Sequence, residues 1–152
     1  MVMTPKEREL VAVGVSVAVG CWTCTNFHTR EAHTVGAAEA DIRRAIVRAV
    51  EIRRTAANMI EAHAIARLEG LSGTEDAAAA ATESRLGALV SVGAALAAAC
   101  PVNLKVALAA ADTVGVTEDE VTEIATLATF IRSKAASNVR RMVGRHESVA
   151  SS

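Results

Sequence analysis

The two halves of this 152-residue chain repeat one another at a constant spacing of 79 residues. The matches include Val13-Gly14 with Val92-Gly93, Cys21 with Cys100, Thr34-Val35-Gly36 with Thr113-Val114-Gly115, Glu39 with Glu118, and Ile52-Arg53 with Ile131-Arg132. Repetition at this period indicates an internal duplication of a short helical unit. We therefore expect a single domain over residues 1–152, with repeat 1 at about 4–70, repeat 2 at about 74–144 and a tail at 145–152.

The residues within each repeat predict helices. Apolar residues make up 51% of the chain but aromatic residues only 2%, so a core of Ala, Val, Leu and Ile favours closely packed helices over a sheet. Thr4 and Glu7 form a capping box for a helix that runs to about Val19, and Thr117 and Glu120 form another in the second repeat. Further helices are expected at about 22–35, 39–53 and 55–69, followed by a linker at 71–74.

One segment of the first repeat collects residue types that carry redox chemistry. Cys21 and Cys24 lie three residues apart, His28 follows four residues later, and Glu9 precedes Cys21 by twelve. On a helix that turns about 100° per residue, the two cysteines and His28 fall on one face within about 60°. Gly20 interrupts the preceding apolar run, so Cys21 is expected where a new helix begins. The free N–H groups of a helix start stabilise a thiolate.

His28 and Glu9 supply the residue types for proton transfer beside this pair. The imidazole can accept a thiol proton or, when charged, favour a nearby thiolate. Glu9 lies on an otherwise apolar helix face, where an unpaired carboxylate is costly. It can orient the imidazole if the first two helices pack side by side. The second repeat keeps the helix boundaries and lacks this chemistry, with Asn103, Ala107 and Ala88 at the positions of Cys24, His28 and Glu9.

The spacing of Glu9, Cys21, Cys24 and His28 resembles the signature of the AhpD-like alkylhydroperoxidases, which belong to the carboxymuconolactone decarboxylase superfamily. The resemblance covers residues 4–53 and includes the text HTREAHTVGAAEADIRRAI. It implies an all-α AhpD-like fold and a thiol-dependent peroxidase or disulfide reductase. As in those enzymes, Cys24 would attack a peroxide and become a sulfenic acid, and Cys21 would condense with it to form a disulfide. Glu9 and His28 would shuttle protons.

The resemblance also implies the partners of the reaction. It implies no bound cofactor or metal, and an external dithiol such as lipoamide or thioredoxin that restores both thiols. The substrate would be a peroxide or a disulfide, and a peroxiredoxin or another dithiol carrier would be the partner. Thr23 stands where characterised members carry a further histidine. Family members are trimers of duplicated chains or hexamers of single units, so we expect a homotrimer, otherwise a hexamer.

Two other hypotheses use the same residues. The two cysteines and His28 can ligate zinc in a non-catalytic redox sensor, with Glu9, His33 or another subunit as the fourth ligand. The chain can also be a decarboxylase, although those members generally do not depend on a C-x-x-C pair. Cys100 is interpreted as a structural remnant. The arginine cluster is expected to be solvated or to face another subunit; it comprises Arg43, Arg44, Arg48, Arg53 and Arg54.

Charge and hydropathy argue against two classes of partner. The formal net charge of −1 offers no electrostatic attraction to nucleic acid or to an anionic membrane. The longest apolar runs, 10–22 and 94–102, are too short to span a bilayer. The first ten residues mix acidic with basic side chains, so they do not resemble a targeting signal. We expect a cytoplasmic protein, and in that reducing compartment a C-x-x-C pair favours catalysis over structural cross-linking.

Overall fold

The computed structural model describes residues 2–71 and 83–150, except for the side chain of Ala150. Its regular structure in these ranges consists of α1 (Pro5–Val19), α2 (Trp22–Thr34), α3 (Glu39–Leu68), α4 (Arg85–Ala97), α5 (Pro101–Thr113) and α6 (Glu118–Ala150). The predicted all-α fold is confirmed. Within the same ranges, no helix is both long and apolar enough to cross a membrane.

Helices α1 and α4 form the centre of the fold. Each packs against four other helices, and each is buried along most of its length. They cross at two glycines, where a side chain would collide with the facing helix. A Cβ atom on Gly14 would lie 2.8 Å from Val90 Cγ1, and one on Gly93 would lie 2.9 Å from Val11 Cγ1. Residue numbers rise along one helix as they fall along the other, so α1 and α4 are antiparallel.

The capping boxes predicted from the sequence are present. The backbone N–H of Glu7 donates to Thr4 Oγ1 at 3.1 Å, and the backbone N–H of Thr4 donates to a Glu7 oxygen at 2.9 Å. Thr117 and Glu120 exchange the same two hydrogen bonds at 3.2 and 2.9 Å. Each box satisfies backbone N–H groups that have no acceptor inside the helix. The starts of α1 and α6 therefore follow from local signals.

Arg85, at the start of α4, joins the starts of α1 and α6. Its Nε donates to Glu7 Oε1 at 3.0 Å, and its two Nη atoms donate to the carboxylate of Glu120, which is fully buried. These hydrogen bonds from Arg85 hold the pKa of Glu120 below its ordinary value of 4.5, against the opposing effect of burial. Burial also raises the pKa of Glu7, but hydrogen bonds from the Thr4 backbone and from Arg85 outweigh it. We call Glu7, Arg85 and Glu120 the Arg85 bridge.

Two long helices differ from the predicted boundaries. α3 is continuous from Glu39 to Leu68, so the prediction of separate helices at 39–53 and 55–69 was wrong. Nothing at the expected break is a glycine or a proline, and the Thr55 hydroxyl donates to the Glu51 carbonyl one turn earlier. α6 continues to Ala150, so residues 145–150 are helical instead of forming a tail. Of the predicted linker at 71–74, only Leu71 is described; the rest, and the start of repeat 2, lie outside the described residues.

The structure adds matched contacts to the repeat seen in the sequence. Adding 79 to the bounds of α2 gives the bounds of α5, and α3 and α6 begin 79 residues apart. Arg53 Nη1 donates to the Val17 carbonyl at 3.2 Å, and Arg132 Nη1 donates to the Leu96 carbonyl at 3.5 Å. Each residue of the second contact lies 79 positions after its counterpart. Descent from a duplicated unit stays a prediction, which these contacts support.

The arginine cluster, which we expected to be solvated or to face another subunit, also makes contacts within the chain. Arg43, Arg44, Arg53 and Arg54 are exposed. Arg48 donates to Ser91 Oγ at 2.8 Å and forms an ion pair with Glu83. Arg53 packs over Gly20, next to its hydrogen bond to the end of α1. These two arginines therefore tie α3 to α4 and to α1.

The later turns of α3 and α6 expose apolar side chains. The exposed residues are Ile60, Ile65 and Leu68 on α3, and Val139, Met142, Val143 and Val149 on α6. Exposed apolar stripes of this kind favour burial against another surface. The expected trimer or hexamer stays a prediction.

Candidate active site

Cys21 and Cys24 are joined by a disulfide, with their Cα atoms 5.3 Å apart. The turn that precedes them sets this position. α1 ends at Gly20, whose φ of 79° lies in the left-handed region that glycine adopts without steric cost. The backbone N–H groups of Gly20 and Cys21 both return to the Ser16 carbonyl. The chain then reverses, and Cys21 becomes the N-cap of α2, as the sequence predicted.

The sulfur of Cys21 receives donors from two parts of the chain. The backbone N–H of Cys24 donates to Cys21 Sγ at 3.1 Å, and Asn138 Nδ2, on α6, lies 3.9 Å from the same sulfur. Both cysteines are buried, with 6% and 8% of their surface exposed. A sulfur at a helix start, with N–H groups directed at it, is in an environment that stabilises negative charge.

His28 and Glu9 form the second half of the site. His28 Nδ1 lies 2.9 Å from Glu9 Oε2, and the contact joins α2 to α1. The two side chains are 12% and 20% exposed, so solvent screens the pair only in part. A carboxylate at Nδ1 favours the tautomer with the proton on that nitrogen, which leaves Nε2 as the acceptor. The contact expected between Glu9 and His28 is present.

The four residues form two pairs that share α2. Among the described residues, no hydrogen bond joins His28 or Glu9 directly to a sulfur. His28 follows Cys24 by one helical turn, so both side chains lie on the same side of α2. Proton exchange between a sulfur and the imidazole would therefore require a bridging atom between them.

Cys21, Cys24 and His28, the possible zinc ligands, do not form a metal site in the described part of the chain. In the described ranges, no group of three or more His, Cys, Asp or Glu side chains is placed to hold a metal ion. His33, named as a possible fourth ligand, is exposed.

The second repeat has a counterpart of the cysteine site. Cys100 is the N-cap of α5, buried and free, and its Sγ lies 3.9 Å from the sulfur of Met59 on α3. A cavity of about 710 Å³ is lined by both residues, by His63 and mainly by alanines of α3 and of the α4–α5 turn. Met59 lies 79 positions before Asn138, so this contact repeats the contact between Cys21 and Asn138. Neither Cys21 nor Cys24 lines the cavity.

Sequence analysis missed Asn138 and its neighbour Arg141. Arg141 donates through Nη2 to Asn138 Oδ1, so the amide that reaches Cys21 is itself hydrogen bonded. No short motif marks either residue, because each lies more than 100 positions from the cysteines. The spacing of 79 aligns Asn138 with Met59, but only the structure shows that Met59 faces Cys100, so the sequence carried no usable signal.

The first half of the chain matches the model of a known protein family. Residues 2–69, which contain all of α1, α2 and α3, match the model of the carboxymuconolactone decarboxylase family. No curated protein and no solved structure matches the chain.

Proposed function

We propose that this chain, whose residues 2–69 belong to the carboxymuconolactone decarboxylase family within the AhpD-like superfamily, is a thiol-dependent oxidoreductase that reduces peroxides or disulfides. One observation carries the proposal. The bond between Cys21 and Cys24 lies at the start of the helix that also holds His28 against Glu9. A reversible sulfur–sulfur bond beside a proton-transfer pair provides what peroxide reduction requires. Decarboxylation has no need for the cysteine pair.

The first step oxidises Cys24. Its thiolate attacks one peroxide oxygen, the O–O bond breaks, and the sulfur becomes a sulfenic acid while the other oxygen leaves as an alkoxide. His28 accepts the proton of the Cys24 thiol when the thiolate forms and returns it to the alkoxide, which becomes an alcohol; Glu9 stabilises the imidazole through this exchange. Because Cys24 lies one turn before His28, we assign it as the sulfur that attacks the peroxide. It is then the sulfur that Cys21 and the external dithiol attack in the later steps.

The second step closes the disulfide. The thiolate of Cys21 attacks the sulfur of the Cys24 sulfenic acid, and the hydroxyl leaves as water after it accepts a proton. The N-cap position of Cys21 supports its thiolate form. An external dithiol then restores the site, because its thiolate attacks Cys24 Sγ and releases Cys21, and its second thiol closes a disulfide of its own.

The test is consumption of an organic hydroperoxide by the purified chain supplied with dihydrolipoamide or reduced thioredoxin. We expect many turnovers that require both the chain and the dithiol. Zinc content is measured on the same sample. Stoichiometric zinc that blocks titration of the two thiols would instead support the metal-based sensor.

Glu9 is expected to act through His28, so Glu9→Gln should lower kcat/KM for the hydroperoxide about tenfold. The amide keeps the size of the side chain but removes the charge that stabilises a protonated imidazole. Initial rates across pH 5 to 9 measure the effect. Glu31→Gln serves as the control and should leave the rate unchanged, because Glu31 lies on the same helix as His28 but pairs with Arg30. A Glu9→Gln variant with the wild-type pH–rate profile contradicts the role of Glu9.

A further inference from the structure

We propose that Asn138, held by Arg141, is a positioning residue that makes Cys21 the stabilised thiolate of the redox pair. This inference rests on the proposed function and deepens it. It assigns a role to each sulfur when the external dithiol reduces the disulfide: the dithiol attacks Cys24 Sγ, and Cys21 Sγ leaves as the thiolate.

The contact brings together residues from opposite halves of the chain. Asn138 lies on α6, half-buried, 117 positions after Cys21, with its Nδ2 atom 3.9 Å from the sulfur. Arg141, one turn later, donates to the oxygen of the same amide. A guanidinium has only donors, so the amide oxygen must face Arg141 and the amide NH₂ must face the sulfur. The orientation that the donation requires is therefore fixed by a second hydrogen bond.

The donation is stronger in the reduced protein than in the oxidised protein. A disulfide sulfur is a weak, uncharged acceptor, whereas a thiolate carries a full negative charge. The positive charge of Arg141 polarises the amide in the direction that strengthens its N–H donor. Asn138 therefore stabilises the dithiol form and makes the bond between Cys21 and Cys24 easier to reduce.

The donors also distinguish the two sulfurs. Among the described residues, two hydrogen bonds reach the sulfurs of the pair, and both are accepted by Cys21 Sγ. One comes from the backbone N–H of Cys24 and the other from Asn138. When an external thiolate attacks Cys24 Sγ, the electron pair of the S–S bond leaves on Cys21, where two N–H groups receive the charge. A leaving thiolate that is stabilised departs faster. The same stabilised thiolate closes the disulfide on the Cys24 sulfenic acid.

The second repeat supports this assignment. Met59 takes the position equivalent to Asn138 and faces Cys100 at the same 3.9 Å, but a thioether donates no hydrogen bond. Position 103, equivalent to Cys24, is an asparagine. An N–H donor therefore faces the N-cap cysteine that has a partner, and a thioether faces the N-cap cysteine that has none.

The test measures the reactivity of one thiol in the absence of peroxide. In a chain that carries Cys24→Ser and Cys100→Ser, Cys21 is the only thiol, and its alkylation by iodoacetamide is followed from pH 5 to 10. Asn138→Leu, similar in size and without a donor, should lower the alkylation rate at pH 7 about fivefold and shift the profile to higher pH. In the chain with both cysteines, the equilibrium with dithiothreitol should shift toward the disulfide by a similar factor.

Two further variants test whether the effect on Cys21 is specific to its contact with Asn138. Met59→Leu, at the equivalent position of the other repeat, should leave the profile of Cys21 unchanged. Arg141→Leu should shift the alkylation profile in the same direction as Asn138→Leu, but by less. Arg141 is exposed, so its replacement should leave the fold intact. An unchanged profile in Asn138→Leu and Arg141→Leu overturns the inference, as does an equal shift in Met59→Leu. A shifted profile in a chain that reduces neither a hydroperoxide nor a disulfide substrate keeps the assignment of Asn138 to Cys21 and refutes the proposed function.

Discussion

Replacing Cys24 with serine is expected to lower the rate of hydroperoxide consumption by at least about a thousandfold. A serine hydroxyl is not ionised near neutral pH and does not form a sulfenic acid, so the first bond-forming step is lost. The Cys21→Ser variant should fail differently. It keeps the attacking sulfur, so it should consume about one peroxide per chain and then stop as a sulfenic acid that dimedone traps. Initial rates with dihydrolipoamide measure the effect of Cys24→Ser. The single-turnover amplitude of Cys21→Ser is measured on reduced chain from which all dithiol has been removed, because a dithiol would itself reduce the sulfenic acid.

Cys100→Ser provides the matched control for these two variants. Cys100 is also a buried N-cap cysteine, and it lacks a partner cysteine and a neighbouring imidazole–carboxylate pair on α5. The variant should keep the wild-type rate. A Cys24→Ser chain that reduces peroxide as fast as wild type contradicts the assignment of Cys24 as nucleophile. A thousandfold loss in Cys100→Ser would place the chemistry in the second repeat.

Replacing Arg85 with methionine is expected to lower the free energy of unfolding at pH 7 by about 3 kcal/mol. The change leaves Glu120 buried and ionised without its partner, and removing one member of a buried ion pair typically costs about 3 to 5 kcal/mol. We expect the lower end because Arg85 is itself 34% exposed. Urea unfolding followed by circular dichroism measures the change. Arg43→Met removes an exposed pair with Glu39 and should cost less than about 0.5 kcal/mol.

The pH dependence of this destabilisation has a definite sign. In the wild type the pKa values of Glu7 and Glu120 lie below 4.5, so their contribution to stability is present above that pH. It is lost as the pH falls through their folded-state pKa values. Without Arg85, burial favours the neutral form of Glu120 and is opposed by the hydrogen bonds from Thr117, so acid relieves part of the penalty. The difference between the wild type and Arg85→Met should therefore narrow between pH 7 and pH 4. A constant difference, or one below about 1 kcal/mol at pH 7, contradicts this account of the Arg85 bridge.

The local parts of the structure followed from the sequence. The starts of α1 and α6 are set by capping boxes four residues long, and the end of α1 is set by one glycine. The proximity of Cys21 and Cys24 follows from helix geometry alone, so it was accessible without any knowledge of the tertiary fold. The contact between Glu9 and His28 needed one additional assumption, the packing of α2 beside α1.

The parts that the sequence did not reveal depend on long-range packing. Arg85 contacts Glu7 across 78 positions and Glu120 across 35, and no local pattern relates these distances. Asn138 reaches Cys21 across 117 positions for the same reason. The break expected in α3 near Arg53 was wrong because no glycine or proline interrupts the helix there. Helix ends depend on the residue types at the ends, whereas contacts between helices depend on how the whole chain folds.

The central claim is that Cys21 and Cys24 exchange electrons with a peroxide through a reversible bond. The most direct test treats the reduced chain with one equivalent of hydroperoxide and measures the mass of the tryptic peptide that spans residues 9–30, which contains both cysteines. The account predicts that this peptide loses two hydrogen atoms, that a dithiol restores them, and that the peptide containing Cys100 does not change. A peptide 9–30 that keeps both thiols while peroxide is consumed, or that gains oxygen without closing a bond, would contradict it.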